Sequence, residues 1–267
     1  MTMPLTMSAL HRPPPWRWAI AGALVGMVGA TAAFAPASWL AAAVSQASSQ
    51  HVSLTGARGS VWQGSSQLVL SGGTGSQNAS ALPGRLSWRI RPVWGGLAID
   101  ISADCCTLQP LQLRAIATGF SGLRLALGDG QSQWPASLLA GLGTPWNTVQ
   151  AQGQLTTSTQ DFSMEWTQGR MNLSGRVQLD ATQVSSRLST LSPMGSYRFT
   201  VQGGPAPSLD LVTLEGSLQL SGHGEWVGQR LRFNGVASAA PERVEALSNL
   251  LNILGRRDGA RSIITVG

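Results

Sequence analysis

The chain has no lysine. Its 18 basic residues are all arginine, set against 12 acids, so the net charge is +6 and the pI about 11.1. Charged residues make up only 11 % of the sequence, which excludes a coiled coil or a charged disordered tail. The arginines run from Arg12 to Arg261, and only "GRRDGAR" at 255–261 clusters them. A nucleic-acid groove concentrates basic residues on one face with aromatic platforms, so nucleic acid is not an expected partner. Histidine occurs only as His11, His51 and His223. There is no G-x-S-x-G, H-E-x-x-H, P-loop or dinucleotide fingerprint. No residue stands out as catalytic, cofactor-binding or metal-binding, and the chain reads as a non-enzyme.

Cysteine is nearly absent too. The two that occur, Cys105 and Cys106, are adjacent. Two sulfurs without further Cys or His beside them make an incomplete metal site. A bridge between them, two free thiols and an intermolecular bond remain open readings.

Long apolar runs are absent except for one. From Trp18 to Ala35 there is no charge, and the uncharged stretch continues to Val44. A membrane-spanning helix takes about 20 apolar residues, so residues 18–44 are expected to form a transmembrane helix and a membrane-proximal segment. Arg12 and Arg17 precede it without any acid, which predicts a cytoplasmic tail over 1–17 and an exported domain over 45–267. Ala33-Phe34-Ala35 has the form of a signal-peptidase site, but Pro36 directly after it disfavours cleavage, so the segment reads as an uncleaved anchor.

What fills the rest is alternation. In "GRLSWRIRPV", Leu86, Trp88 and Ile90 alternate with Arg85, Ser87 and Arg89; "GGLAIDISADC" places Leu97, Ile99 and Ile101 on one side. Period two with one apolar face, cut by Gly, Pro and Asn clusters, means half-buried antiparallel strands. Trp62, Leu86, Trp88, Leu97, Ile99, Leu218, Leu220 and Trp226 are the candidates for the apolar side of one curved sheet. "TVQAQGQLTTSTQDFSMEWTQGRMNLSGRVQLDA" reads as three strands. Helices are expected in "WPASLLAGLG", in "DATQVSSRLSTLSP" with Val184, Leu188 and Leu191 at helical spacing, and in "APERVEALSNLLNILGRRDG". The last has Val244, Leu247, Leu251 and Leu254 in a stripe, and Gly255 suited to a left-handed cap.

"TLEGSLQLSGHGEW" (213–226) holds one of the three histidines. Leu218, Leu220, Gly222, Gly224 and Trp226 share one parity, and Gln219, Ser221, His223 and Glu225 the other. His223 and Glu225 therefore lie on a polar strand face. A metal needs a third ligand there, and a triad needs an activated nucleophile, so His223 reads as a solvated strand residue.

Several stretches, in order, resemble a known family: "GARGSVWQG", "LSWRIRPVWGGLAIDI", "WPASLLAGLGTPW", "GQLTTSTQDFSMEW", "SSRLSTLSPMGSYRFTV", "TLEGSLQLSGHGEWVGQRLRFNGVASA" and "LSNLLNILGRRDG". Together they are similar to the bacterial type II secretion system protein N (general secretion pathway protein N) family, from Trp16 to Gly267. The resemblance implies a bitopic inner-membrane protein with one N-terminal transmembrane helix and a mainly β periplasmic domain, a curved, mostly antiparallel AsmA-like sheet with a few short helices. It implies a non-enzymatic role in exporting folded proteins across the outer membrane, with other secretion proteins (the secretin or the inner-membrane platform) and the inner membrane as partners. A lipid-binding or lipid-transfer module, using an apolar groove in the sheet, is the rival expectation. No catalytic residue or cofactor comes with the family, and Cys105 and Cys106 are not part of its pattern.

Overall fold

The computed structural model describes residues 16–76, 78–119, 122–228 and 230–267. The chain divides into two compact units, Met1–Ala35 and Pro36–Gly267. The described part of the first is one helix, α1 (Trp16–Ala33). The second opens with α2 (Ala37–Ala47) and then builds a sheet.

No described helix is long and apolar enough to cross a membrane. This corrects the expected transmembrane helix over 18–44, and with it the single-pass placement with a cytoplasmic N-terminus and a periplasmic domain. The uncharged run is not one helix. The 18 residues of α1 rise about 27 Å at 1.5 Å each, and Arg17 occupies the first turn. A hydrocarbon core is about 30 Å thick. Pro36 has no N–H to extend the ladder; it opens α2, which packs along the first strand of the second unit. Arg12, which with Arg17 carried the expected orientation, lies outside the described residues, as does His11.

The sheet has 16 strands. These are β1 (Val52–Gly59), β2 (Gln63–Ser71), β3 (Ala79–Ala81), β4 (Leu86–Val93), β5 (Gly96–Ala103), β6 (Leu111–Thr118), β7 (Gly122–Leu127) and β8 (Gly130–Pro135). After a 3₁₀ segment (Ala136–Leu142) and α3 (Trp146–Val149) come β9 (Gln152–Thr167), β10 (Arg170–Ser185), β11 (Gly195–Gln202), β12 (Ser208–Gly216), β13 (Leu218–Val227) and β14 (Arg230–Ala239). A 3₁₀ turn leads into α4 (Val244–Leu254), followed by β15 (Arg256–Asp258) and β16 (Arg261–Val266). The order is β1-β2-β4-β5-β6-β7-β9-β10-β11-β12-β13-β14-β16-β15, with β3 beside β2 and β8 beside β9. The path has two free ends, so the sheet is open, and the pairings are antiparallel.

Direct cross-strand partners share a face. One face carries Ile90, Ile99 and Leu113 in one row, and Leu179, Phe199 and Leu211 in another. The main core forms where this face is covered. Leu247, Leu250 and Leu251 of α4 join Leu218, Ala237, Tyr197 and Leu155, with Ala136 and Val149 from the helical connection. A second cluster groups Leu82, Ala103, Cys106 and Leu138. Of the candidates for the apolar side, Trp88 and Leu218 are 4 % and 2 % exposed. Trp62 is corrected: it lies between β1 and β2, in a hairpin turn rather than in a strand, and Trp88 Nε1 donates to the neighbouring Val61 carbonyl at 3.0 Å.

Three further expectations change. "TVQAQ…QLDA" makes two long strands, β9 and β10, because the Gln160–Ser163 region is a bulge rather than a turn. Asp161 takes a φ of 47°, and its N–H donates to Asp129 Oδ1 at 2.6 Å. "DATQVSSRLSTLSP" is not a helix: the Ser186 and Ser189 hydroxyls accept from the N–H groups of Leu188 (3.2 Å) and Leu191 (3.1 Å), making local turns that compete with helical bonds. Gly255 is no left-handed cap; it is extended at φ −177°, and a Cβ there would lie 2.3 Å from the Ile263 carbonyl oxygen.

Candidate functional site

The opposite face of the sheet is polar. One row runs through Ser158, Gln178, Thr200, Asp210, His223, Asn234 and Thr265, each opposite the next across β9 to β16. The ion pairs between strands among the described residues lie on this face: Arg91–Asp100, Arg124–Glu165, Arg198–Asp180 and His223–Asp210. The Asp180–Arg198 pair is bidentate, at 2.7 and 2.8 Å, and Gln178 adds a donor at 3.1 Å. The Arg198 hydrogen bond holds the Asp180 carboxyl below its ordinary range, outweighing the opposing effect of burial.

His223 has its answer here. Its Nδ1 lies 2.6 Å from Asp210 Oδ1, directly across the β12–β13 ladder, and its Nε2 lies 3.6 Å from Glu225 Oε1. The two carboxylates lie against different ring nitrogens, so the three groups do not converge on one ion. Among the described residues no group of three or more His, Cys, Asp or Glu could hold a metal. Ser208 Oγ donates to Asp210 Oδ2 at 3.4 Å, so this hydroxyl is held by the carboxylate and does not form the nucleophile–base pair of a triad with the imidazole. The hydrogen bond to Asp210, then that to Glu225, raises the His223 pKa from 6.5. The arrangement is an exposed ion-pair cluster on a strand surface.

At the β1–β2–β4–β5 corner of the same face is a half-open depression of about 610 Å³, bordered by Arg58, Ser87, Arg89, Asp100 and Ser102. Cys105 and Cys106 sit in the β5–β6 connection with their sulfurs bonded to each other; Cys106 packs inward against the second core cluster and Cys105 is exposed. His51 is exposed, with Nδ1 2.8 Å from the Ser48 carbonyl oxygen.

Sequence reasoning placed His223 and Glu225 together but missed Asp210. Asp210 stands 13 residues before His223 in the chain and becomes its neighbour only through the hairpin register. Asp180 and Arg198, also missed, lie opposite each other in β10 and β11.

The family model for type II secretion system (T2SS) protein N matches residues 50–264. That stretch begins just before β1 and ends within β16, so it takes in nearly the whole sheet. The chain belongs to this family. No curated protein and no solved structure matches it.

Proposed function

We propose that this member of the type II secretion protein N family acts without catalysis of its own. It supports export of folded proteins from the periplasm across the outer membrane by binding other components of the machine, the secretin or the inner-membrane platform. The family match over residues 50–264 carries the reading. The polar sheet face is the proposed contact surface: it is broad and open, and its charges are arranged in pairs across strands. Photo-crosslinking residues at Gln131, Asn234 and Thr265, exposed on that face, should yield adducts with another secretion component in cells that secrete. Absence of such adducts, with secretion unchanged when the chain is deleted, would overturn the reading.

A second reading is a lipid-binding module. Leu97 and Leu123, 37 % and 42 % exposed, share the apolar face with the half-buried Ile99, Leu113 and Leu125. The helices pack elsewhere, against β1–β3, β9 and β14–β16. Acyl chains co-purifying with the protein, detected by mass spectrometry, would favour this reading; their absence would count against it.

A further inference from the structure

The sequence holds a repeat that the topology makes meaningful. "EWTQGRMNLSG" (165–175) and "EWVGQRLRFNG" (225–235) agree at Glu, Trp, Arg and the closing Gly. Both fold as hairpins in the same register. Trp166 lies opposite Met171 and Trp226 opposite Leu231; Arg170 lies opposite Thr167 and Arg230 opposite Val227. In each, the Trp stands on the apolar face and the Arg on the polar face at the tip.

Strand direction puts both tips at one end of the sheet. The β1–β2 turn with Trp62 and the β4–β5 turn with Trp94 open at that same end. Trp94 is 101 % exposed. Thus four of the ten tryptophans line one rim, while α3, α4 and the long connections gather at the other end. Measured along the sheet at about 4.8 Å per strand, the outermost of these tips are roughly 50 Å apart. The carboxylates near the rim already have partners: Glu165 is 2.7 Å from the Arg124 guanidinium, and Glu225 is 3.6 Å from the His223 imidazole. Arg170 and Arg230 are exposed.

We propose that this rim docks end-on onto an anionic lipid surface. An indole is apolar in body with a polar N–H, which suits the boundary between headgroups and chains. Arginine binds phosphate in bidentate fashion. The wholly exposed Trp94 and the exposed Arg170 and Arg230 stand at one end of the sheet, an aromatic and cationic set whose charge complements an anionic headgroup layer. The inference concerns the end of the sheet, and does not rest on the secretion role of its faces.

The test is flotation of the full chain with vesicles of phosphatidylcholine alone, or with about 30 % phosphatidylglycerol. The parent should float with the anionic vesicles. Trp94→Ser, and separately Arg170→Gln/Arg230→Gln, should each lower the bound fraction on the order of tenfold. These positions are exposed, so folding is unaffected, as circular dichroism should show. Variants that bind like the parent, a parent indifferent to phosphatidylglycerol, or a photo-crosslinker at position 94 that labels a secretion protein instead of lipid would each overturn the proposal.

Discussion

Gly222 offers a test of the core in which the sign of the effect decides. Its φ is not in the left-handed region, so an alanine there meets no backbone strain. If the space beside it were open, Gly222→Ala would stabilise the domain by about 0.4–1 kcal/mol by narrowing the unfolded ensemble. The structure predicts the reverse. A Cβ at 222 would stand 2.3 Å from Phe233 Cζ and 3.0 Å from the Asn234 carbonyl oxygen. Carbon atoms in contact sit about 3.5–4.0 Å apart, so the ring would have to move by more than an ångström. Phe233 is only 7 % exposed and belongs to the main core, which leaves it little room to swing. Overpacking of this kind costs roughly 1–3 kcal/mol. In a unit of this size, that lowers Tm by about 2–4 °C per kcal/mol. Phe233→Leu removes the obstructing atom. The double variant should therefore be more stable than the two single effects sum to, by about 1–2 kcal/mol in a double-mutant cycle. Urea or thermal unfolding of the four proteins measures this. A Gly222→Ala variant as stable as the parent or more so, or a cycle with no coupling, would refute the placement of Phe233 over the glycine.

Leu218 is buried against α4 and Gln219 beside it is exposed, so Leu218→Asp should lose several kcal/mol and unfold an ordinary domain, while Gln219→Asp stays within about 0.5 kcal/mol; the opposite ranking on denaturation would mean reversed parity. His223 has a raised pKa from Asp210 and Glu225, so its contribution to stability is complete below 6.5 and disappears as pH rises through the folded-state value. The imidazole should titrate above 6.5 by NMR, and Asp210→Asn should bring the midpoint back down; no change in Asp210→Asn would sink the pairing. For Asp180, held low by Arg198, the sign is opposite: its contribution is present above 3.8 and is lost as pH falls through the folded-state value, so Asp180→Asn should flatten that acid limb of the stability curve. We further propose that Cys105 and Cys106 are bridged in the oxidised protein: alkylation of the unfolded chain should add label only after reduction, and labelling without reductant would refute it.

The strands were largely legible because the apolar parity is strict where the sheet is half-buried. Leu86, Trp88 and Ile90, and likewise Leu218 and Leu220, read correctly from spacing alone. What misled the reading was chemistry that looks alike in sequence and differs in three dimensions. "STQD" has the composition of a turn, yet Asp161 forms a bulge that lets a long strand continue. Leu188 and Leu191 have helical spacing, yet they reach the core from serine-capped turns. The apolar N-terminal run was long enough on paper, but Pro36 divides it and α2 packs along the sheet. At the polar face, His223 could be assigned to solvent from parity, whereas Asp210 could not be paired with it, because that needs the register of the β12–β13 hairpin.

That register is also what the polar face encodes. Arg91–Asp100 joins β4 to β5, Arg124–Glu165 joins β7 to β9, Asp180–Arg198 joins β10 to β11, and Asp210–His223 joins β12 to β13. Each pair links one neighbouring pair of strands, and none ties the sheet to a helix. A slip of one residue in any of these strands would turn its charge toward the apolar side, so misregistered sheets are disfavoured far more than the native one is stabilised. Exposed pairs of this kind add only about 0–1 kcal/mol each. The face can therefore exchange residues at little cost to stability while its register is kept by the pairs that remain. A surface that must fit a particular partner needs that freedom, and the buried Leu218, Phe233 and Leu251 on the other side do not have it.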